Sequence, residues 1–148
     1  MAANLDDVDW AIITQLQQEA RISLSELGRR VSLSPSATTE RVRQLEALGV
    51  ITGYSATVDL AKVGYPVLAV VRLKYPGNRH QPLHRLLADR HEILECLRTT
   101  GDDCYTLKLA ATSMEHLESL VDELAGFGST TTSVVYSRTL PARGPRRP

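Results

Sequence analysis

The 148-residue chain has no surplus of charge: 17 Lys and Arg stand against 17 Asp and Glu. That balance excludes bulk attraction to a polyanion, so any affinity for phosphate has to come from local placement of cations. Two cysteines are too few for a disulfide framework. No charged-then-apolar leader occupies residues 1–10, and no apolar run approaches a membrane span. No short internal repeat is evident. The sequence also lacks a nucleophile with a nearby base, a Gly-rich phosphate loop and an acidic dyad, so it nominates no catalytic residue and implies no cofactor. A cytoplasmic protein with reduced thiols and no membrane contact is the economical expectation. With 43% apolar residues the chain can bury a sizeable core.

What is present is unevenly distributed. Residues 1–53 carry five Arg and seven acids, 54–136 carry eight basic and ten acidic residues, and 137–148 carry four Arg and no acid. Val8, Ala11, Ile12 and Leu16 recur at helical spacing after Asp6, a good N-cap, which predicts a helix over about 6–18. Ser23-x-x-Glu26 fits a capping box, with Leu24, Leu27 and Val31 as the inward stripe of a second helix. Ser34 followed by Pro35 reads as an N-cap and first helical position. A third helix then runs to about Leu48 and stops at Gly49, its buried stripe being Val42, Leu45 and Leu48.

Beyond it the pattern is strand-like over 50–58 and linker-like to Pro66. The remainder predicts strand 67–75, helix 81–90, strands 93–100 and 105–111, helix 114–127 and strand 130–138. This βαββαβ order is ferredoxin-like. The fold class is therefore α+β: a helix-turn-helix domain over 1–53, a strand and linker over 54–66, a ferredoxin-like domain over 67–138 and a disordered basic tail over 139–148. Such a sheet carries both helices on one face. If Val67, Ala69, Val71 and Leu73 face the helices, the other parity still offers Leu68 and Val70, with Leu94, Cys96, Val134 and Tyr136 on neighbouring strands. That face is too apolar for water, so a homodimer through the second domain is expected.

Two helices separated by three or four residues, the second entering a major groove, define the helix-turn-helix arrangement. Ser36, Thr38, Thr39, Glu40, Arg43 and Gln44 are assigned to the face that meets double-stranded DNA; Ser, Thr, Gln and Arg suit base edges or phosphates. Arg29 and Arg30, with Arg41 and Ser34, are assigned to phosphate. The same residues also suit a solvated face or a protein-binding unit, and Arg41 has Glu46 and Asp9 as candidate partners.

Leu5-Asp6, Arg21-x-Ser23, Leu27, Leu33-Ser34, Arg41-Val42, Leu45-Glu46, Gly49-x-Ile51 and Gly53-Tyr54 fall in register with one family. In these residues the chain closely resembles the Lrp/AsnC (feast/famine) transcriptional regulators. The stretch 99–137 is similar to that family's effector-binding domain. The resemblance implies sequence-specific DNA binding by dimers, assembly to octamers or larger, and tuning by amino acids lodged between dimers. It places the effector at Gly101, Asp102, Asp103 and Cys104, with Thr130 and Thr132 from a neighbouring subunit. Here Gly101-Asp102-Asp103-Cys104 stands where the family commonly has Gly-Asp-Tyr-Asp, which removes an aromatic ring and a carboxylate suited to an ammonium group. Sirohaem decarboxylases resemble the same two-domain architecture, which keeps an enzyme as the alternative reading. His80-x-x-x-His84, His91, Cys96 and Cys104 offer only one pair with metal-ligand spacing, so no metal site is assigned. Cys96 and Cys104 are expected opposite one another across a hairpin.

Overall fold

The computed structural model describes residues 3–78, 80–102 and 104–148. Three helices come first: α1 (Asp7–Gln18), α2 (Leu24–Val31) and α3 (Pro35–Ala47). Then follow β1 (Val67–Lys74), α4 (Gln81–Asp89), β2 (Ile93–Arg98), β3 (Tyr105–Ala111), α5 (Met114–Ala125) and β4 (Ser129–Val134). The chain divides into two compact units: Met1–Thr57 with Leu140–Pro148, and Val58–Thr139. Among the described residues no helix is long and apolar enough to cross a membrane.

Capping chemistry starts each of the first three helices. Asp6 accepts from the Asp9 amide at 2.8 Å while Asp9 Oδ2 accepts from the Asp6 amide at 3.1 Å, a complete capping box. Ser23 caps α2 by accepting from Glu26 N, but the reciprocal half expected of Glu26 is not made. Its carboxylate is taken instead by Arg29 and Arg30. Ser34 caps α3 with Pro35 at the first position, where the missing amide costs nothing.

The core of this unit is Ile12, Ile13, Leu27, Val42 and Leu45. Leu48, expected to continue the stripe, is 66% exposed. It lies just past the helix end, where Gly49 takes φ +69° and the amides of Val50 and Ile51 both bond back to the Leu45 carbonyl. Val50 and Ile51 thereby cover the core in place of Leu48. The stripe shifts to Thr38, Val42 and Leu45. No strand forms over 50–58: the segment has no ladder partner among the described residues, and alternation alone cannot satisfy a strand's backbone groups.

The second unit is a four-stranded antiparallel sheet in the order β2-β3-β1-β4, the ferredoxin-like arrangement. Ala69, Val71 and Leu73 of β1 align with Leu109, Leu107 and Tyr105 of β3 and pack with Leu83 of α4 and Leu117, Leu120 and Leu124 of α5. Register moves two expected open-face residues to the helix side: Cys96 stands opposite Leu107, and Val134 opposite Ala69. Leu97, aligned with Thr106, joins Leu68 and Val70 on the face without helices. The two cysteines are not cross-strand partners, because the Cys104 carbonyl instead accepts from the Thr99 amide beyond the strand ends.

The shifted stripe separates two leucines three residues apart. Leu45→Ala should cost about 2–5 kcal/mol by cavity formation, whereas Leu48→Ala should stay within about 0.5 kcal/mol. Denaturant unfolding read by Trp10, the single tryptophan and a neighbour of this core, would refute the assignment if both variants lost stability equally.

Candidate nucleic-acid interface

Three residues, 32–34, join α2 to α3, and they do so through a left-handed Ser32 (φ 59°, ψ 40°) whose amide bonds to the Gly28 carbonyl. The two helices touch at Gly28. A Cβ there would meet Thr38 Oγ1 at 2.6 Å and the Leu33 carbonyl at 2.8 Å, so only glycine admits this approach. Thr38 is correspondingly 0% exposed, and its hydroxyl donates to the Ser34 carbonyl at 2.8 Å. Its assignment to the DNA face is therefore corrected: Thr38 is a packing residue of the helix crossing.

The other assigned residues of α3 turn outward. Ser36, Glu40, Arg43 and Gln44 are exposed and Thr39 is half-buried. The Ser34 hydroxyl accepts from the Ala37 amide and lies 3.2 Å from that of Ser36. Thr39 donates to the Pro35 carbonyl, and Gln44 donates to Glu40 at 3.2 Å. Arg43 has no hydrogen-bond or ion-pair partner among the described residues. Glu46, a neighbour on the next turn, accepts from the Tyr54 hydroxyl at 2.9 Å. Burial and then that bond to Glu46 push Tyr54 up to about 12.

The remaining arginines are internally engaged to different degrees. Arg41 donates to Asp6 at 2.6 Å and to Asp9 at 2.9 Å, tying the start of α1 to α3, so it is a strut and not a free phosphate ligand. Of its two expected partners it takes Asp9 and not Glu46. The backbone amide of Asp9 and then Arg41 hold the Asp6 carboxyl below its ordinary value. Arg30 donates to Glu26, Gln15 and Glu19, linking α2 to α1. Arg29 forks onto Glu26 at 2.8 and 2.7 Å, yet its side chain is 74% exposed. Hydrogen bonds from Arg29 and Arg30 draw Glu26 down to about 2.

In the second unit the expected effector residues lie on several separate segments. Gly101 takes φ +99°, and Asp102 lies fully outward, 3.9 Å from Lys74. The Cys104 thiol accepts from the Tyr75 amide at 3.4 Å. Asp103 lies outside the described residues. Tyr105, Leu73 and Thr130 share one cross-strand row, which puts Thr130 two strand spacings, or roughly 10 Å, from Tyr105 at the sheet end where β3 begins. Thr132 is one row pair further along and lines an apolar groove with Met114, Leu117, Val121 and Val134.

One cluster at this end was missed. The Tyr105 hydroxyl lies 2.8 Å from His80 Nδ1 and 3.4 Å from His84 Nε2, with the Tyr75 ring 5.2 Å from that of His80. Burial raises the Tyr105 hydroxyl above its ordinary value. The four-residue spacing of the histidines put them on one helical face, but nothing local linked them to a tyrosine on β3.

A family model described as the AsnC-type helix-turn-helix domain matches residues 5–46, and one described as the Lrp/AsnC ligand binding domain matches residues 68–145. The chain is 37% identical to the HTH-type transcriptional regulator LrpC of Bacillus subtilis over 133 residues, covering 90% of this chain and 92% of that protein. The solved structure of LrpC superposes with a TM-score of 0.90 at 35% identity, covering 95% of this chain and all of that one. A feast or famine regulatory protein from M. tuberculosis complexed with L-methionine superposes at 0.89 with 29% identity, covering 97% and 99%. These proteins are named as regulators, and the enzyme alternative finds no support among them.

The Glu26 ion pairs make a pH prediction. A carboxylate drawn down from 4.5 to about 2 contributes stability that is present above its unfolded value and lost as pH falls through about 2. Carboxyl NMR should give a Glu26 midpoint near 2 that returns toward 4.5 in an Arg29→Ala, Arg30→Ala double variant. An unchanged midpoint would show that the arginines are not its cause.

Proposed function

This chain belongs to the Lrp/AsnC family of transcriptional regulators, and on that premise we propose that it is a sequence-specific DNA-binding regulator tuned by a small effector such as an amino acid. The observation that carries this reading is the outward face of α3, where Arg43 stands exposed, unpaired among the described residues, between Thr39 and Gln44 on a helix locked from behind.

A helix presented this way lies in a major groove, with side chains of its outward face reaching base edges. Arg43 is the base reader in this account, since its fork suits a guanine edge. Ser36, Thr39, Glu40 and Gln44 fill out the contact surface. Arg29 and Arg30, together with Ser34, hold the duplex by its phosphates, Arg29 being the freer of the two cations. Double-stranded DNA is thus the partner of the 1–53 domain, and the protein acts in the cytoplasm.

The 67–138 domain joins two copies through the face carrying Leu68, Val70 and Leu97, which a lone chain would leave in water. Dimers then assemble to octamers or larger. The effector sits at Gly101, Asp102, Asp103 and Cys104, with Thr130 and Thr132 supplied by a neighbouring copy. Support for an amino-acid ligand comes from the L-methionine complex of the M. tuberculosis relative. A ligand so placed shifts DNA affinity only by binding one assembly state better than another.

Selection of binding sites from a random duplex pool should return two-fold symmetric half-sites about one helical turn apart, or a multiple. Arg43→Ala should relax preference at one position at a cost of about 1–3 kcal/mol, while Arg29→Ala should weaken all sequences alike and lower the salt slope by about one. Asymmetric sites, or identical behaviour of the two variants, would contradict the reading. For the effector, thermal shift and sedimentation across the amino acids should show one that raises the melting point and moves the assembly, an effect that Asp102→Asn removes. No response to any amino acid would reject that part alone.

A further inference from the structure

As a DNA-binding body, the first unit has the wrong sign. Residues 1–57 hold five Arg and no Lys against seven acids, and Asp6, Asp7, Asp9 and Glu19 cluster on α1 or at its ends. Three of the five Arg are engaged: Arg41 with Asp6 and Asp9, Arg30 with Glu19 and Glu26, and Arg29 with Glu26. Asp7 is left standing outward, its side chain 82% exposed.

The Arg-rich segment Leu140–Pro148 belongs to this same unit. Arg147 donates to Asp7, and at Gly144 the chain lies against the end of the exposed Gln17 side chain. The segment therefore runs along α1. It brings Arg143, Arg146 and Arg147 and no acid, which turns a unit with two negative charges in excess into one with a single positive charge in excess. Arg143 and Arg146 are exposed and have no hydrogen-bond or ion-pair partner among the described residues.

We propose that residues 140–148 form a phosphate-binding arm of the DNA-binding unit, held on α1 through Asp7 and Gln17, whose arginines engage the duplex backbone beside the groove entered by α3. The proposal rests on the DNA-binding reading above. Guanidinium groups fork onto phosphate oxygens, and an arm already held at the protein surface meets the duplex at higher effective concentration than a free one. The Asp7 bond is exposed and readily exchanged, so it parks Arg147 without withholding it from phosphate.

The test uses the full chain and a mixed-sequence duplex, with Kd measured by anisotropy from about 50 to 200 mM salt. An Arg143→Gln, Arg146→Gln, Arg147→Gln variant should bind about tenfold more weakly at the low-salt end. Its log–log salt slope should be shallower by about two to three, close to one for each phosphate that is no longer neutralised. A Gln17→Cys, Gly144→Cys variant should cross-link within one chain in the absence of DNA, which reads the docking independently of binding. If the parent binds DNA but the triple variant keeps its affinity or its slope, the arm is overturned while the regulator reading stands. If the parent binds no duplex at any salt, both fall.

Discussion

The close approach of α2 and α3 at Gly28 is the constraint on which the DNA-facing surface depends. With hydrogen in place of a side chain, Thr38 packs against α2 and its hydroxyl closes onto the Ser34 carbonyl, and the rotation of α3 about its axis is then set. Every other assignment follows from that rotation. With Thr38, Val42 and Leu45 inward, Ser36, Glu40, Arg43 and Gln44 have no choice but to face out. A methyl group at residue 28 would collide with backbone as well as with a hydroxyl, and overpacking of that kind moves helices instead of being absorbed.

Around this crossing, arginine is divided between structure and availability. Five arginines look equivalent when read as a basic count, but carboxylates on α1 and α2 take them unequally. Arg41 is a strut between α1 and α3, Arg30 a tie between α2 and α1, Arg29 paired yet largely in water, and Arg21 and Arg43 without a partner among the described residues. The acids of α1, which as a total argue against DNA, in fact spend much of their charge locally. This is how a chain with no net charge presents a cationic point where a phosphate or a guanine edge needs one.

The second unit sets a different problem, an apolar sheet with helices on one side only. Register decides which residues each side receives, because slipping by one position inverts every side chain. Cys96 and Val134 fall on the packed side and Leu97 on the open one. At the sheet end near Gly101, the start of β3 and the first turn of α4 also bring Tyr105, His80 and His84 within hydrogen-bond range, next to the turn assigned to the effector.

Much of this architecture was legible in the chain alone. Asp6, Ser23, Ser34, Pro35 and Gly49 mark helix ends through bonds spanning three or four residues, and the βαββαβ order follows from periodicity of similarly short range. Those signals depend only on near neighbours in sequence, so no fold is needed to read them. What tertiary structure alone decided was the fate of particular side chains: Thr38 buried, Leu48 exposed, Arg41 spent on Asp6 thirty-five residues away, and 50–58 left without a ladder. Arg41 turns on a partner far along the chain, Thr38 on the crossing at Gly28, and Leu48 on how the chain folds back past Gly49, and which polar group stays free for function is settled only after folding has matched all the others.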